Sequence, residues 1–228
     1  MFFWDPTYLI VLPAILLALY AQLRVQSAYA RYSQVPIQSG MTGAQVAEEI
    51  LRRNGLSRVE IERIDGMLSD HYDPRTRVLR LSSAVHDGVS VASAGVAAHE
   101  TGHAIQHAHN YGPLALRSAI VPVTQFGSWL AFPLFFLGFF FHSGLMMQLG
   151  ILIFSAFVAF TVITLPVEFD ASARALRVLR EERLVTPDEL TGVRTVLTAA
   201  ALTYVAAAAT AILELLRLLL LYNARREE

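Results

Sequence analysis

Four long apolar runs separate the polar parts of this chain. They cover about 6–23, 119–141, 145–167 and 197–221. At about 1.5 Å of rise per helical residue, each reaches across a hydrocarbon core of roughly 30 Å. His142-Ser143-Gly144 has room only for a tight turn, so the second and third runs predict a helical hairpin. One such run also suits a buried helix of a soluble protein, but four together predict an integral membrane protein. Asp5 and Pro6 predict the start of the first helix.

Charge orients these spans. Arg24, Arg31 and Arg117 flank the segment between the first and second runs, and Arg174, Arg177, Arg180 and Arg183 follow the third. The positive-inside rule puts both segments in the cytoplasm and the hairpin turn outside. Ala28-Tyr29-Ala30 fits a signal-peptidase site. The start lacks a basic region and Arg24 interrupts the approach, which favours a retained anchor with its N-terminus outside. The tail fits less well, because four full spans put Arg225 and Arg226 outside. Either Glu214 and Arg217 pair within the last span, or that helix is only partly inserted.

The segment 25–117 is the only polar stretch long enough for a domain. Thr42 reads as a helix N-cap and Gly55 as the stop after Arg52-Arg53-Asn54. Arg58 to Glu62 alternates as a strand does, with Val59 and Ile61 apolar. Asp73-Pro74 marks a turn, and Arg77 to Leu81 reads as a second short strand. A helix then starts near Ser90 or Ser93.

Composition agrees with the pattern: 54% hydrophobic and 16% charged residues exceed the apolar content of an ordinary soluble domain. A net charge of -1 offers no basic field for nucleic acid, and none is expected as a partner. With no cysteine, any metal must be held by His, Asp or Glu.

The predicted helix carries Val96-Ala-Ala-His-Glu-Thr-Gly-His-Ala-Ile-Gln-His-Ala-His-Asn110. Within it, His99-Glu100-Thr101-Gly102-His103 is H-E-x-x-H. Residues four apart share a helical face, so both imidazoles reach one ion, and Glu100 stands beside them to act on a water. The bland alternative is a solvated helix with incidental histidines. It leaves Gly102 unexplained, since a glycine inside a helix costs about 1 kcal/mol against alanine and asks for a packing or site reason. His107 extends the same stripe, but it lies about 12 Å along the axis from His99. Two nitrogens on one zinc are only about 3.3 Å apart, so a regular helix cannot bring both to the ion. His107 and His109 are therefore expected to be cap, surface or substrate-binding residues.

The third ligand then comes from elsewhere. Glu168 stands where the third run leaves the membrane, and the hairpin returns it to the level of the preceding helix. A helix cap or an ordinary interfacial carboxylate is the competing reading. His99, His103 and Glu168 would make the His-His-Glu site of one catalytic zinc, with a fourth position left to water.

The chain resembles the YugP-type membrane zinc metallopeptidases over nearly its whole length. The resemblance is carried by the anchor, Asp70-His71-Tyr72-Asp73-Pro74, the H-E-x-x-H, the hairpin and Glu168-Phe169-Asp170-Ala171-Ser172. More distantly it is similar to the HtpX-like and CaaX-processing gluzincins. In those an aspartate commonly follows the ligand glutamate by four residues. Here that place is Ser172, with Asp170 nearby, so the carboxylate that supports the ligands is left open.

The expected architecture is a mainly α membrane protein with about four transmembrane helices and a small cytoplasmic α+β region that the resemblance implies is gluzincin-like. The chain 1–228 is read as one unit: span 6–23, catalytic segment 25–117, hairpin spans 119–141 and 145–167, cytoplasmic segment 168–196 and span 197–221. The expected activity is zinc-dependent endopeptidase cleavage of protein or peptide substrates at the cytoplasmic face of the cell membrane, with lipid as the other partner. Glu100 would move the water's proton to the leaving amine, and His71, Tyr72 or His107 would donate to the oxyanion. Strand 77–81 would pair with an extended substrate. Membrane-protein quality control is an analogy with the HtpX-like relatives. A scaffold with a structural zinc, or a zinc hydrolase of lipid or small amides, is the alternative. An intact Glu100 speaks for an enzyme, because a purely structural site does not need it.

Overall fold

The computed structural model describes residues 6–66 and 69–226, side chains at 122, 123, 125, 126, 128 and 226 excepted. Asp5, expected at the first helix start, lies outside them. The chain is mostly helical: α1 (Tyr8–Tyr32), α2 (Gly43–Arg53), α3 (Ser83–His86), α4 (Val91–Ala108), α5 (Gly112–Phe140), α6 (Gly144–Glu181) and α7 (Pro187–Arg226). A small sheet is built from β1 (Glu60–Ile64), β2 (His71–Asp73) and β3 (Val78–Ser82). Among the described residues, α1, α6 and α7 are long and apolar enough to cross a membrane. The expected second span falls in α5, which contributes two shorter apolar stretches, Gly112–Val121 and Trp129–Phe140.

Two compact units emerge. One comprises Met1–Gln22, Leu116–Leu165 and Thr203–Glu228; the other comprises Leu23–Ala115 and Pro166–Leu202. The first unit is the apolar one. Its hairpin turns at His142, whose φ of 55° is the left-handed kink that a short turn needs. Gly138 and Gly150 let α5 and α6 approach closely: a Cβ at Gly150 would lie 2.8 Å from the Ala131 carbonyl oxygen, and one at Gly138 2.7 Å from the Met147 nitrogen. Phe135, Met147, Phe154 and Leu218 fill the space around this crossing. Glu214 and Arg217 do pair, at 2.6 Å. Arg217 is buried, reaches the Thr7 hydroxyl at 3.1 Å and lies 3.7 Å over the Tyr8 ring. Further along α7, Arg225 meets His142 in the hairpin turn and stacks on Phe139. The C-terminal turns of α7 therefore run to the end of this unit where α5 and α6 turn.

The second unit is α+β. Thr42 caps α2 with a capping box: its hydroxyl accepts from the Gln45 N–H, and the Gln45 side chain accepts from the Thr42 N–H. Gly55, at φ 70°, ends that helix. The Ser90 hydroxyl accepts from the Ser93 N–H and caps α4. A second capping box at Thr186 and Glu189 starts α7, with Pro187 in the first helical position.

The sheet order is β1-β3-β2, with β3 parallel to β1 and antiparallel to β2. This corrects the expectation that strand 77–81 pairs with substrate. β3 is the central strand, and its backbone groups are committed to β1 on one side and β2 on the other. Sheet and α2 pack on α4 through Ala47, Leu51, Tyr72, Leu79, Leu81, Val85, Ala97 and Ala104. The other side of α4 meets α6 and α7 through Val91, Ala94, Ala98, Ala175, Leu179 and Val193. Enclosed on both sides, α4 is buried along most of its length, Glu100 to His103 included, with His99 partly exposed.

Candidate metal centre

Helical spacing stacks His99 and His103 one turn apart on α4, their rings edge to face with centroids 4.8 Å apart. Opposite them stands Glu168. It caps no helix, because α6 runs unbroken from Gly144 to Glu181 and carries Pro166 within it. Gly102 explains how the helices come so close. A Cβ there would lie 2.6 Å from the Ala171 carbonyl oxygen, so α4 and α6 touch backbone to backbone at this point. That is the packing reason that a glycine inside H-E-x-x-H asks for.

The donor atoms converge. His99 Nε2 lies 3.1 Å and His103 Nε2 3.6 Å from the same oxygen of Glu168, Oε2. One ligand atom from each of the three residues falls within 4.8 Å of the others. Donors sharing a tetrahedral zinc at about 2.0–2.1 Å stand about 3.3 Å apart, so the spacing and the two-imidazole, one-carboxylate chemistry fit such an ion. Glu168 and His103 are buried, and the His99 side chain is 14% exposed.

Electrostatics favour a cation here. Burial works against an ionised Glu168, but His103 and His99 outweigh it and hold the carboxyl far below the usual carboxylate range. Burial likewise opposes a charged His103, yet contact with Glu168 and the nearby charge of Glu100 raise its pKa. Glu100 responds in the opposite sense: burial pushes its carboxyl up, the two imidazoles pull it down, and Glu168 and Asp70 push it up again. The result is a carboxyl above its ordinary value next to the two histidines, as suits a group that takes and returns a proton.

With both Nε2 atoms turned to Glu168, each Nδ1 has its own hydrogen-bond partner. His99 Nδ1 lies 3.1 Å from the Ser172 hydroxyl, and His103 Nδ1–H donates to the Gln106 side-chain oxygen at 3.0 Å. This answers the question of the supporting carboxylate. Ser172 serves His99 directly, whereas Asp170 touches neither ring and accepts from Gln106 Nε2 at 2.8 Å. Gln106 was not foreseen as a site residue. Its position three residues after His103, on the same helical face, is the only trace it leaves in the sequence.

The other candidates part company. His107 lies apart from the three-residue cluster, half-buried, with Nδ1 2.9 Å from the Tyr72 hydroxyl. His109 is the exposed C-cap of α4. His71 is exposed and its Nδ1 meets the Ser69 carbonyl, whereas Tyr72 is buried under the sheet. Tyr72 and His107 line a cavity of about 570 Å³ along the last turns of α4, with Leu56, Val59, Arg77 and Ala104.

Comparison with known proteins agrees with this chemistry. Residues 7–223 match the model of a family described as "putative neutral zinc metallopeptidase". The chain is 47% identical over 220 residues to the "Putative membrane protease YugP" of Bacillus subtilis (strain 168), covering 96% of this chain and 97% of that one. No solved structure matches it. A match over nearly the whole length, together with a relative of that identity, shows that the chain belongs to this zinc metallopeptidase family, whose Bacillus member is named as a membrane protease.

Proposed function

We propose that the protein is a multi-pass membrane endopeptidase of gluzincin type, with one catalytic zinc held by His99, His103 and Glu168 and with Glu100 as general base and acid. The observation that carries this reading is the convergence of both Nε2 atoms on one oxygen of Glu168, with Glu100 next to His99 on the same buried helix. When bound, zinc supplies a Lewis acid that polarises a scissile carbonyl and acidifies water. Glu100 takes the proton of the attacking water and delivers it to the leaving amine. Ser172 and Gln106 hold the two imidazoles in the tautomer that leaves each Nε2 free to ligate. Tyr72 and His107, hydrogen-bonded to each other and lining one cavity beside the last turns of α4, are the side chains we assign to substrate contact.

A reading with four spans, α5 the second, together with the arginine distribution, supports a site on the cytoplasmic side. The substrates are then proteins or peptides at the inner face of the membrane, and membrane-protein quality control is the role that this position suits. The contact of Arg225 with His142 supports a last helix that crosses fully, since it brings the C-terminal turns to the hairpin turn. The test is a comparison of the membrane proteomes of cells carrying the wild type or Glu100→Gln. Proteins that accumulate with Glu100→Gln, and are cut in vitro only by the zinc-loaded wild type, are the expected result. Identical proteomes, with no peptide hydrolysis by the wild type, would refute a peptidase.

A further inference from the structure

Gln106 is fully buried on α4, and no polar atom of its amide is idle. Its oxygen accepts from His103 Nδ1–H at 3.0 Å. Its nitrogen donates to the Val167 carbonyl at 2.7 Å and to Asp170 Oδ2 at 2.8 Å. An amide offers two N–H donors and one strongly directed oxygen, and all are used. Asp170 is in turn held by Arg174 Nε at 2.5 Å, and the Arg174 guanidinium lies over the Tyr111 ring.

This arrangement fixes the amide. A flipped Gln106 would set its NH2 against the imidazole N–H and its oxygen against a carbonyl and a carboxylate, losing three hydrogen bonds for three repulsions at a fully buried position. The fixed amide then fixes the imidazole, because the Gln106 oxygen requires a proton on His103 Nδ1, which leaves Nε2, turned toward Glu168, as the ring atom that can ligate a metal. The link also crosses between helices. Val167 is the residue immediately before Glu168, so the amide ties the His103 ring on α4 to the backbone that carries the glutamate on α6. Gln106 and Val167 are 61 residues apart in the chain. A glutamate in this place would keep the acceptor for His103 but would face the Val167 oxygen and Asp170 with a like charge.

We propose that Gln106 is the positioning residue of the metal centre: it sets the tautomer of His103 and the separation of His103 from Glu168, and so governs metal affinity without touching the ion. The proposal rests on His99, His103 and Glu168 being the ligands. Its test uses the full chain in lipid nanodiscs and two readouts, zinc affinity by chelator competition and the visible spectrum of the cobalt-substituted protein. Gln106→Met keeps the volume and removes every hydrogen bond. It is expected to bind zinc about 10- to 100-fold more weakly, the usual cost of losing a group that orients a ligand. The cobalt bands should also shift, which a residue important only for folding would not cause in a protein that melts normally. Should Gln106→Met fail to fold, Asp170→Ala, which removes one anchor of the amide and leaves its bond to His103, should give a smaller loss with a shifted spectrum. Wild-type zinc affinity and an unchanged cobalt spectrum in the folded variant overturn the proposal. Zinc retained by His103→Ala or Glu168→Ala overturns the ligand set beneath it, a distinguishable failure.

Discussion

Gly102→Ala probes how finely the two ligand-bearing helices are set. The added methyl carbon would sit 2.6 Å from the Ala171 carbonyl oxygen and 3.1 Å from the carbonyl carbon, both backbone atoms that cannot rotate aside. Ordinary contact begins at 3.4 Å, so α4 and α6 must part by about 0.8 Å at this point. Metal ligands tolerate about 0.2 Å. The opening is therefore several times what the site can absorb, and it lies between the two histidines and three residues from Glu168. Stability should change far less. Overpacking costs about 1–3 kcal/mol, against about 1 kcal/mol gained from alanine's higher helix propensity, which leaves a net loss of at most about 2 kcal/mol. The expected outcome is a protein that still folds but binds zinc at least ten-fold more weakly, measured by chelator competition in nanodiscs. Gly95→Ala is the control on the same helix, since its methyl would meet Val193 Cγ1 at 3.1 Å, a side chain that can give way, and zinc affinity should hold. Equal zinc affinities in Gly102→Ala and wild type would refute the reasoning, because the close approach of α4 and α6 would then not control the ligands.

Three further outcomes are expected. A fragment limited to 25–117 holds only His99 and His103 of the three, so isothermal titration should find far weaker zinc binding than in the whole chain; equal affinity would put the third ligand inside the fragment. Arg217→Met should lower thermal stability in nanodiscs, by at most about 3 kcal/mol, by leaving the partly buried Glu214 without its ion-pair partner, and the double substitution with Glu214→Gln should recover much of it; a single variant as stable as wild type would mean that the pair contributes nothing. A reporter in the turn 142–144 should read outside and one near Ser33 cytoplasmic, and the reverse pattern would move the proposed site to the other side of the membrane.

What could be read from the sequence was mostly what short-range rules govern. Thr42, Gly55 and Ser90 bound their helices as capping chemistry requires, and the histidines of H-E-x-x-H share a face as a 3.6-residue period dictates. The approach of Glu168 was also legible, because a tight hairpin fixes which end of the third run returns. β2 was missed because only three residues form it and only Tyr72 among them is buried, too short a pattern for a period of two to show. The unbroken course of α6 past Pro166 ran against the usual reading of proline as a helix end. Thr186 and Glu189 were a missed capping box, whose four-residue signature lay outside the apolar run that marked the helix. Gln106 could not be found at all from local pattern, since the backbone oxygen it serves is 61 residues away.

The central claim, that Glu168 completes a zinc site begun by H-E-x-x-H, is tested most directly by the metal content of three full-length variants purified in lipid. Glu100→Gln should retain about one zinc per chain and lose turnover, His107→Ala should retain its zinc, and Glu168→Ala should lose it. Zinc that stays in Glu168→Ala and leaves His107→Ala would contradict the claim.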